Sequence, residues 1–487
     1  MHALFTTDWI QRRHGSVAYG RRLLTSTMIL GALAIPAAAV AQTDSTSAQS
    51  EAATVRMDPS PLQKMAQDAY DHGVYFNLYY IGELAANPIG GARQGNAYNG
   101  HLRLDTAFDL QKLLGIPGAS FHFTFTDRSG ENLSTKRIDT DGFVQQLYGS
   151  DETYIFSKFE YVQKLFDNRA DFMVGRMDLS DTFDRSEFYC LFQSDLDCGN
   201  PTGLAKDISK AAFPTPVWGG VLRIRPTPNI YAMAGAYQVD PTDDNPLQTH
   251  GLNWSTTKST GYTLPVELGY KWRTPGAVDD NRYDIGMVLD HATYSAKTPF
   301  GKAFYSPSSV TGRTVLYAQA QQMLWQAQPD TKQGIYLAAN VVYGASGSKQ
   351  TENFDWNTNL VWIGPFAARP DDYLGFAFGG QHYNNAFLNA LYKSRVAEHG
   401  TQYPDSWQFM GELNYSIQVN RWLEVLPNIQ WIIHPNGLGF STYAVKNVPS
   451  ALVFGLQFNV SIAKLLGIPV GPKNMMDWVD NSSAYAR

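Results

Sequence analysis

From about residue 73 to residue 463 the chain consists of short runs in which apolar and polar residues alternate, separated by Gly, Pro, Asn and Asp. In Pro265–Arg273, Val266, Leu268, Tyr270 and Trp272 share one face, while Glu267, Gly269, Lys271 and Arg273 share the other. From Trp407 to Val419, Phe409, Leu413, Tyr415, Ile417 and Val419 oppose Gln408, Glu412, Asn414, Ser416 and Gln418. Phe454, Leu456, Phe458 and Val460 likewise oppose Gly455, Gln457, Asn459 and Ser461, and Phe121, Phe123 and Phe125 oppose His122, Thr124, Thr126 and Arg128. A period of two puts successive side chains on opposite faces of a strand. A soluble sandwich alternates as well. Aromatics set against charges in strand after strand are what lipid outside and water inside reward.

The pattern predicts about sixteen strands, near 74–85, 98–109, 119–127, 153–162, 169–178, 216–226, 230–238, 263–273, 281–290, 313–326, 334–343, 355–364, 372–382, 406–419, 421–433 and 451–463. Most approach the ~9–11 residues that a tilted strand needs to cross a bilayer. Long connections are expected near 86–97, 128–152, 179–215, 239–262, 291–312, 344–354, 383–405 and 434–450. They alternate with short ones such as Pro226–Asn229 and the turn at Asn420. Long external loops, short periplasmic turns and an even strand count describe an outer-membrane barrel. The sheet must close, because an open edge in hydrocarbon leaves peptide groups unpaired at several kcal/mol each. The expected fold is therefore all-β, a transmembrane antiparallel barrel preceded by one short helix. That helix, Asp58–Tyr70, starts with Pro59 and Pro61 and carries Leu62, Met65, Ala66 and Ala69 on one stripe. It is either a plug for the periplasmic mouth or a stalk before the first strand.

Targeting agrees with this placement. Arg12, Arg13, Arg21 and Arg22 precede an apolar run, Met28–Ala34, and Ala39-Val40-Ala41 offers a small-x-small cleavage site. Residues 1–41 are read as a signal peptide and 42–72 as a Ser/Thr/Ala/Gln-rich leader with the short helix. The barrel occupies 73–463 and a periplasmic extension 464–487. Mean hydropathy is -0.27, against a bundle of membrane helices. Cleavage leaves a net charge of about -9 without basic clusters, a poor nucleic-acid binder.

No nucleophile elbow, His-Glu-x-x-His or phosphate loop occurs, so neither an enzyme nor a cofactor is expected. A channel needs instead a wet bore whose narrowest part replaces water's hydrogen bonds to the solute. By alternation the lumen receives Arg128, Lys158, Glu160, Arg223, Arg225, Glu267, Lys271, Arg273, Arg282, Asp284, Gln408 and Glu412. The aromatics Tyr79, Tyr80, Trp272 and Trp431 fit interfacial girdles. Cys190 and Cys198 are the only cysteines and sit in one loop; an oxidising compartment makes them a disulfide. With no His or third Cys nearby, a metal is not expected there.

Several segments together resemble the carbohydrate-selective porins of Gram-negative outer membranes, over roughly Gly73–Ile462. They are Thr126–Ser134, Gly175-Arg176, Phe188–Gln193 closing at Cys198–Pro201, Leu264–Leu268, Leu426–Gly437 and Ala451–Leu456. The resemblance implies passive passage of small neutral carbohydrates, glucose-like sugars or polyols, through a monomer or homotrimer surrounded by outer-membrane lipid. A general or organic-acid-selective porin is the alternative, with a barrel enzyme or adhesin behind it. The resemblance also draws attention to Glu83, Asp127, Arg128, Asn132, Arg176, Glu267, Arg369 and Glu412 as channel residues. Arg128, Glu267 and Glu412 are reached by both routes. One departure from the family is the tail after Ile462, whose Leu465-Leu466-Gly467-Ile468-Pro469 echoes Leu113-Leu114-Gly115-Ile116-Pro117.

Overall fold

The computed structural model describes residues 58–472, apart from short stretches in the connections, of which 296–308 is the longest. The expected signal peptide, most of the expected leader and the end of the tail lie outside the described residues. Alternation becomes a closed antiparallel barrel in which each strand pairs with its sequence neighbours and β1 pairs with β16. The strands are β1 (Val74–Ile89), β2 (Gly95–Asp109), β3 (Ala119–Gly130), β4 (Thr153–Leu165), β5 (Ala170–Met177), β6 (Val217–Ile224), β7 (Ile230–Val239) and β8 (Gly261–Trp272). They continue with β9 (Asn281–Ser295), β10 (Ser309–Gln326), β11 (Gly334–Gly344), β12 (Glu352–Ile363), β13 (Tyr373–Tyr383), β14 (Trp407–Asn420), β15 (Leu423–Ile433) and β16 (Ala451–Ser461). Among the described residues no helix is long and apolar enough to cross a membrane.

Burial is inverted relative to a soluble protein. On β8, Val266, Leu268 and Tyr270 are exposed while Glu267 is buried; on β14, Leu413 and Val419 are exposed while Glu412 is buried. The outer face is thus an apolar belt, and the bore carries the polar residues. Where two outward glycines leave gaps, aromatics lie across them. Tyr80 covers Gly100, and the Phe458 ring covers Gly82, so a Cβ at either position would collide with a ring or its hydroxyl. Tyr80 and Tyr98 bond through their hydroxyls at 2.5 Å. Tyr79, expected in the girdle beside Tyr80, points into the barrel instead and is buried. Neighbours on a strand cannot share a face.

Long connections gather at one rim and short ones, with both ends of the barrel, at the other. In such barrels the short-turn rim is periplasmic. Two connections differ from expectation. β1 and β2 are longer than the pattern predicted, so only residues 90–94 join them. The β13–β14 loop contains a helix, Asn385–Ala397, whose Phe387, Leu388 and Leu391 pack with Tyr383 and Leu438.

At the short-turn rim the predicted N-terminal helix is present as α1 (Pro61–Asp71), with Ser60 and Gln63 forming a reciprocal cap. Two shorter helices, α2 (Leu110–Leu114) and α4 (Ile462–Leu465), follow β2 and β16; the loop helix Asn385–Ala397 is α3. If the exterior meets hydrocarbon, Leu268→Arg on the belt should cost about 2–4 kcal/mol near the midplane. Equilibrium unfolding of the barrel refolded in liposomes measures it, and a loss near zero would place this face in water.

Candidate functional site: a bore crossed by a pinned loop

A barrel of this strand number leaves an aqueous channel wider than one small solute. Here the β5–β6 loop (178–216) turns inward and follows the inner wall. Its course is traced by hydrogen bonds. The Asp184 N–H donates to Glu267 Oε2 on β8 at 2.9 Å, and Asn340 Nδ2 on β11 donates to Asp184 Oδ1 at 2.6 Å. Ser186 donates to Gln321 and Tyr189 to Gln319, both on β10, at 2.7 and 2.9 Å. Leu191 O accepts from Tyr373 Oη on β13 and from Asn414 Nδ2 on β14, at 3.1 and 3.0 Å. Gln193 N–H and Ser194 N–H then donate to the two oxygens of Glu412, at 3.0 and 2.7 Å. Phe188, Tyr189, Leu191 and Phe192 pack on Tyr336, Val361, Tyr373 and Leu426 of the wall.

Glu267 and Glu412 therefore face the lumen as alternation required, but both carboxylates hold backbone. Glu267 also accepts from Tyr231 and Tyr317, each at 2.7 Å, and Glu412 from Asn414 at 3.0 Å. Both are buried. A loop backbone inside a barrel needs acceptors, and carboxylates make the stronger, charge-assisted bonds. Glu83 on β1 plays the same part for the β3–β4 loop (131–152), taking Leu147 N–H at 3.4 Å while its carbonyl takes Gln145 Nε2 at 2.9 Å. Asn132 braces that loop from within, donating to Gln145 O at 3.2 Å and accepting from Ser134 N–H at 2.7 Å. The two loops meet where Gln146 N–H donates to Gln193 O at 2.9 Å. Cys190 and Cys198 form the expected disulfide, and its ring encloses the residues that Glu412 holds.

On the inner wall of β2–β4 charges pair, most of them half-buried and Glu160 buried. Arg103 bonds Asp105 at 2.9 Å, Lys158 stands 3.6 Å from Glu160 and also bonds Asp181, and Arg185 stands 3.5 Å from Asp181. Asp181 and Arg185 come from the pinned loop. So does Phe213, whose ring lies under the guanidiniums of Arg103 and Arg128 at 4.7 and 5.5 Å and stacks on His101 at 6.1 Å. Of the doubly predicted residues, Arg128 is the one beside Phe213, and it is buried there.

Other predicted residues fall elsewhere. Asp127, beside Arg128, has the outward parity of Phe121, Phe123 and Phe125 and is exposed. Arg176 is also outward, at the external end of β5. It is covered there by the β7–β8 loop, 6.0 Å from the Trp254 ring, donating to Pro216 O at 2.5 Å and pairing with Asp243 at 3.5 Å. Burial raises the Asp243 carboxyl above its ordinary pKa, and the Arg176 charge opposes that. Arg369 lies in the β12–β13 turn at the periplasmic rim, where it clasps Asp372 and donates to Gln418 O at 3.1 Å. Lys271 keeps inward parity at the lower end of β8, 5.4 Å from the Tyr231 ring. Of the alternation set, Arg223 and Arg225 clasp Asp171, Arg282 clasps Asp284, and Arg273 is exposed beyond the end of β8.

Sequence reasoning passed over Asn99, His101, Arg103 and Asp105, although their inward alternation against Leu102 and Leu104 was available. Asp181, Arg185 and Phe213 carried no such signal, because a folded-in loop has no period. Glu412→Ala should free two loop N–H groups, with charge-assisted bonds of about 1.5–3 kcal/mol each at stake. Planar-bilayer recordings should then show a larger single-channel conductance with more noise, while Asp127→Asn should leave it unchanged.

Comparison with known proteins agrees with this architecture. The chain is 28% identical to Porin B of Pseudomonas aeruginosa over 410 residues, covering 80% of this chain and 87% of that protein. It is 27% identical to the putative porin QuiX of Acinetobacter baylyi over 420 residues, covering 81% and 90%. Among solved structures, the high-pH form of Pseudomonas putida OprB superposes with a TM-score of 0.72 at 26% identity, covering 81% of this chain and 95% of that one. The family model for the carbohydrate-selective porins, OprB family, matches residues 93–462. With its closed barrel and loop-narrowed bore, the chain belongs to that family and is an outer-membrane carbohydrate porin.

Proposed function

We propose that the passage serves neutral, glucose-like sugars or polyols that leave the external side and move by diffusion past Phe213. One observation carries this reading. On three adjacent strands, Glu83, Asn99, His101 and Arg128 stand side by side on the inner wall, since Glu83 pairs in register with Asn99 and His101 with Arg128. Among the described residues, Glu83 Oε1, both amide atoms of Asn99, both ring nitrogens of His101, and Arg128 Nε and Nη1 make no hydrogen bond. A buried polar group without a partner costs about 1–3 kcal/mol. In this structure those atoms are covered, so a sugar reaches them only where the chain over them yields; its hydroxyls then satisfy donors and acceptors alike, because each can both give and take a proton. The apolar face of a pyranose ring suits Phe213 above them.

Charge balance argues against an organic-acid channel. Arg128 feels Glu83 and Asp195, and Arg103, Lys158 and Arg185 are each paired with an acid. Opposed charges across a narrow bore favour dipolar, uncharged solutes over either ion, and removing water strengthens that field. The family and the barrel describe a channel rather than an enzyme. Delivery through cleavage after Ala41 belongs to the same reading, and N-terminal sequencing of the mature protein tests it. An outer face that is apolar on strands all round suits a single barrel in lipid; cross-linking in native membranes distinguishes it from a homotrimer.

Liposome swelling tests the solute. Glucose should enter several-fold faster than gluconate, which is similar in size but anionic, and Arg128→Ala should lower that ratio. Equal entry of both solutes, unaltered in Arg128→Ala, would refute the proposal.

A further inference from the structure

The LLGIP sequence occurs at Leu113–Pro117 and again at Leu465–Pro469, and the channel uses neither copy. Both make the same turn at a strand end. Asp109 closes β2 and caps α2, its carboxylate accepting from the N–H groups of Gln111 and Lys112; Ser461 closes β16 and caps α4, accepting from Lys464 N–H. A glycine in the left-handed region follows each helix, Gly115 at φ 72° and Gly467 at φ 69°. Since β2 and β16 flank β1, the two turns stand close together on the short-turn rim. Helix α1 joins them, because Gln63 Nε2 donates to Leu466 O at 2.9 Å and Lys112 Nζ to Asp71 O at 3.5 Å.

Their apolar side chains are not packed away. Leu113, Leu114 and Ile116 of one copy, Leu465 and Leu466 of the other, and Leu62 and Met65 of α1 are exposed, Leu114 by 68% and Met65 by 67%. On a water-facing rim such a cluster would be a liability. The patch is instead continuous with the lipid belt: outward Phe108 ends β2 just before one turn, and outward Val460 ends β16 just before the other. Lys64 of α1 is exposed beside the leucines, whereas Lys112 donates to Asp71 O and Lys464 is half-buried with Glu424 as its charge partner. Exposed leucines that continue a lipid belt, with an exposed lysine beside them, suit the boundary between acyl chains and headgroups.

We propose that the paired LLGIP turns and α1 form a lipid-interface anchor, seated in the headgroup region of the periplasmic leaflet with phospholipid as its partner. The anchor fixes the depth of the barrel at its β16–β1–β2 seam. It is independent of what the bore carries.

Spin labels on Leu114→Cys and Leu465→Cys test it, in the mature protein reconstituted into phosphatidylcholine–phosphatidylglycerol vesicles with the native disulfide left oxidised. Met65→Cys supplies a third position should either leucine variant not fold, as judged by heat-modifiable migration. The ratio of oxygen to nickel-chelate accessibility should exceed, several-fold, that of a label at Asp330, which lies in an exposed polar turn of the same rim. Labels as open to nickel as the Asp330 control would overturn the anchor and leave a periplasmic protein as the patch's occupant.

Discussion

Hydrocarbon offers a peptide group no hydrogen bond, and the rest of this structure follows from that constraint. Each strand must pair on both sides, so the sheet closes and β1 meets β16. Closure at this strand number forces a bore too wide to discriminate among small solutes. Selectivity cannot reside in the strands alone. It has to be supplied by chain brought into the water-filled interior, where backbone again needs partners.

That second requirement explains the acidic residues of the wall. Residues 184–194 carry N–H groups with no ladder to join, and Glu267 and Glu412 accept them from far-separated strands. Between those clamps the loop buries Phe188, Tyr189, Leu191 and Phe192 against the wall, so charge and apolar packing hold the same segment. The disulfide shortens the excursion and keeps Gln193 and Ser194 in place for one carboxylate. A residue that narrows a channel need not touch what passes through it. Glu412 fixes the loop from the wall, while Arg128 meets that loop through the ring of Phe213.

The barrel was legible because lipid imposes a period of two on every strand, and strand positions differ from the predicted ones mainly at their ends. The lumen parity of Arg128, Glu267, Glu412 and Lys271 was legible for the same reason. What each inward residue holds was not, because Glu267 meets Asp184 and Glu412 meets Gln193 through contacts with no local signature. Of the residues that family resemblance singles out, Asp127 and Arg176 have outward parity and Arg369 sits in a turn. The helix Asn385–Ala397 did carry a signal, apolar residues at 387, 388 and 391, hidden inside what read as a polar loop.

The tail after Ile462 follows from barrel geometry too. Strand tilt staggers the seam: β16 stops where Ser461 faces Tyr79, whereas β1 begins five residues lower, at Val74. On its other side β1 is paired down to Val74, which faces Phe108. The lower end of β1 would therefore present an open edge at the membrane surface, the place where edge pairing invites association with other chains. Instead the chain turns through α4 and Gly467 and returns. Val470 bridges to Phe76 in parallel, and Gly471 N–H donates to Phe76 O at 3.2 Å. Through Val470 and Gly471 the described part of the extension thus covers the lower end of β1 at the seam.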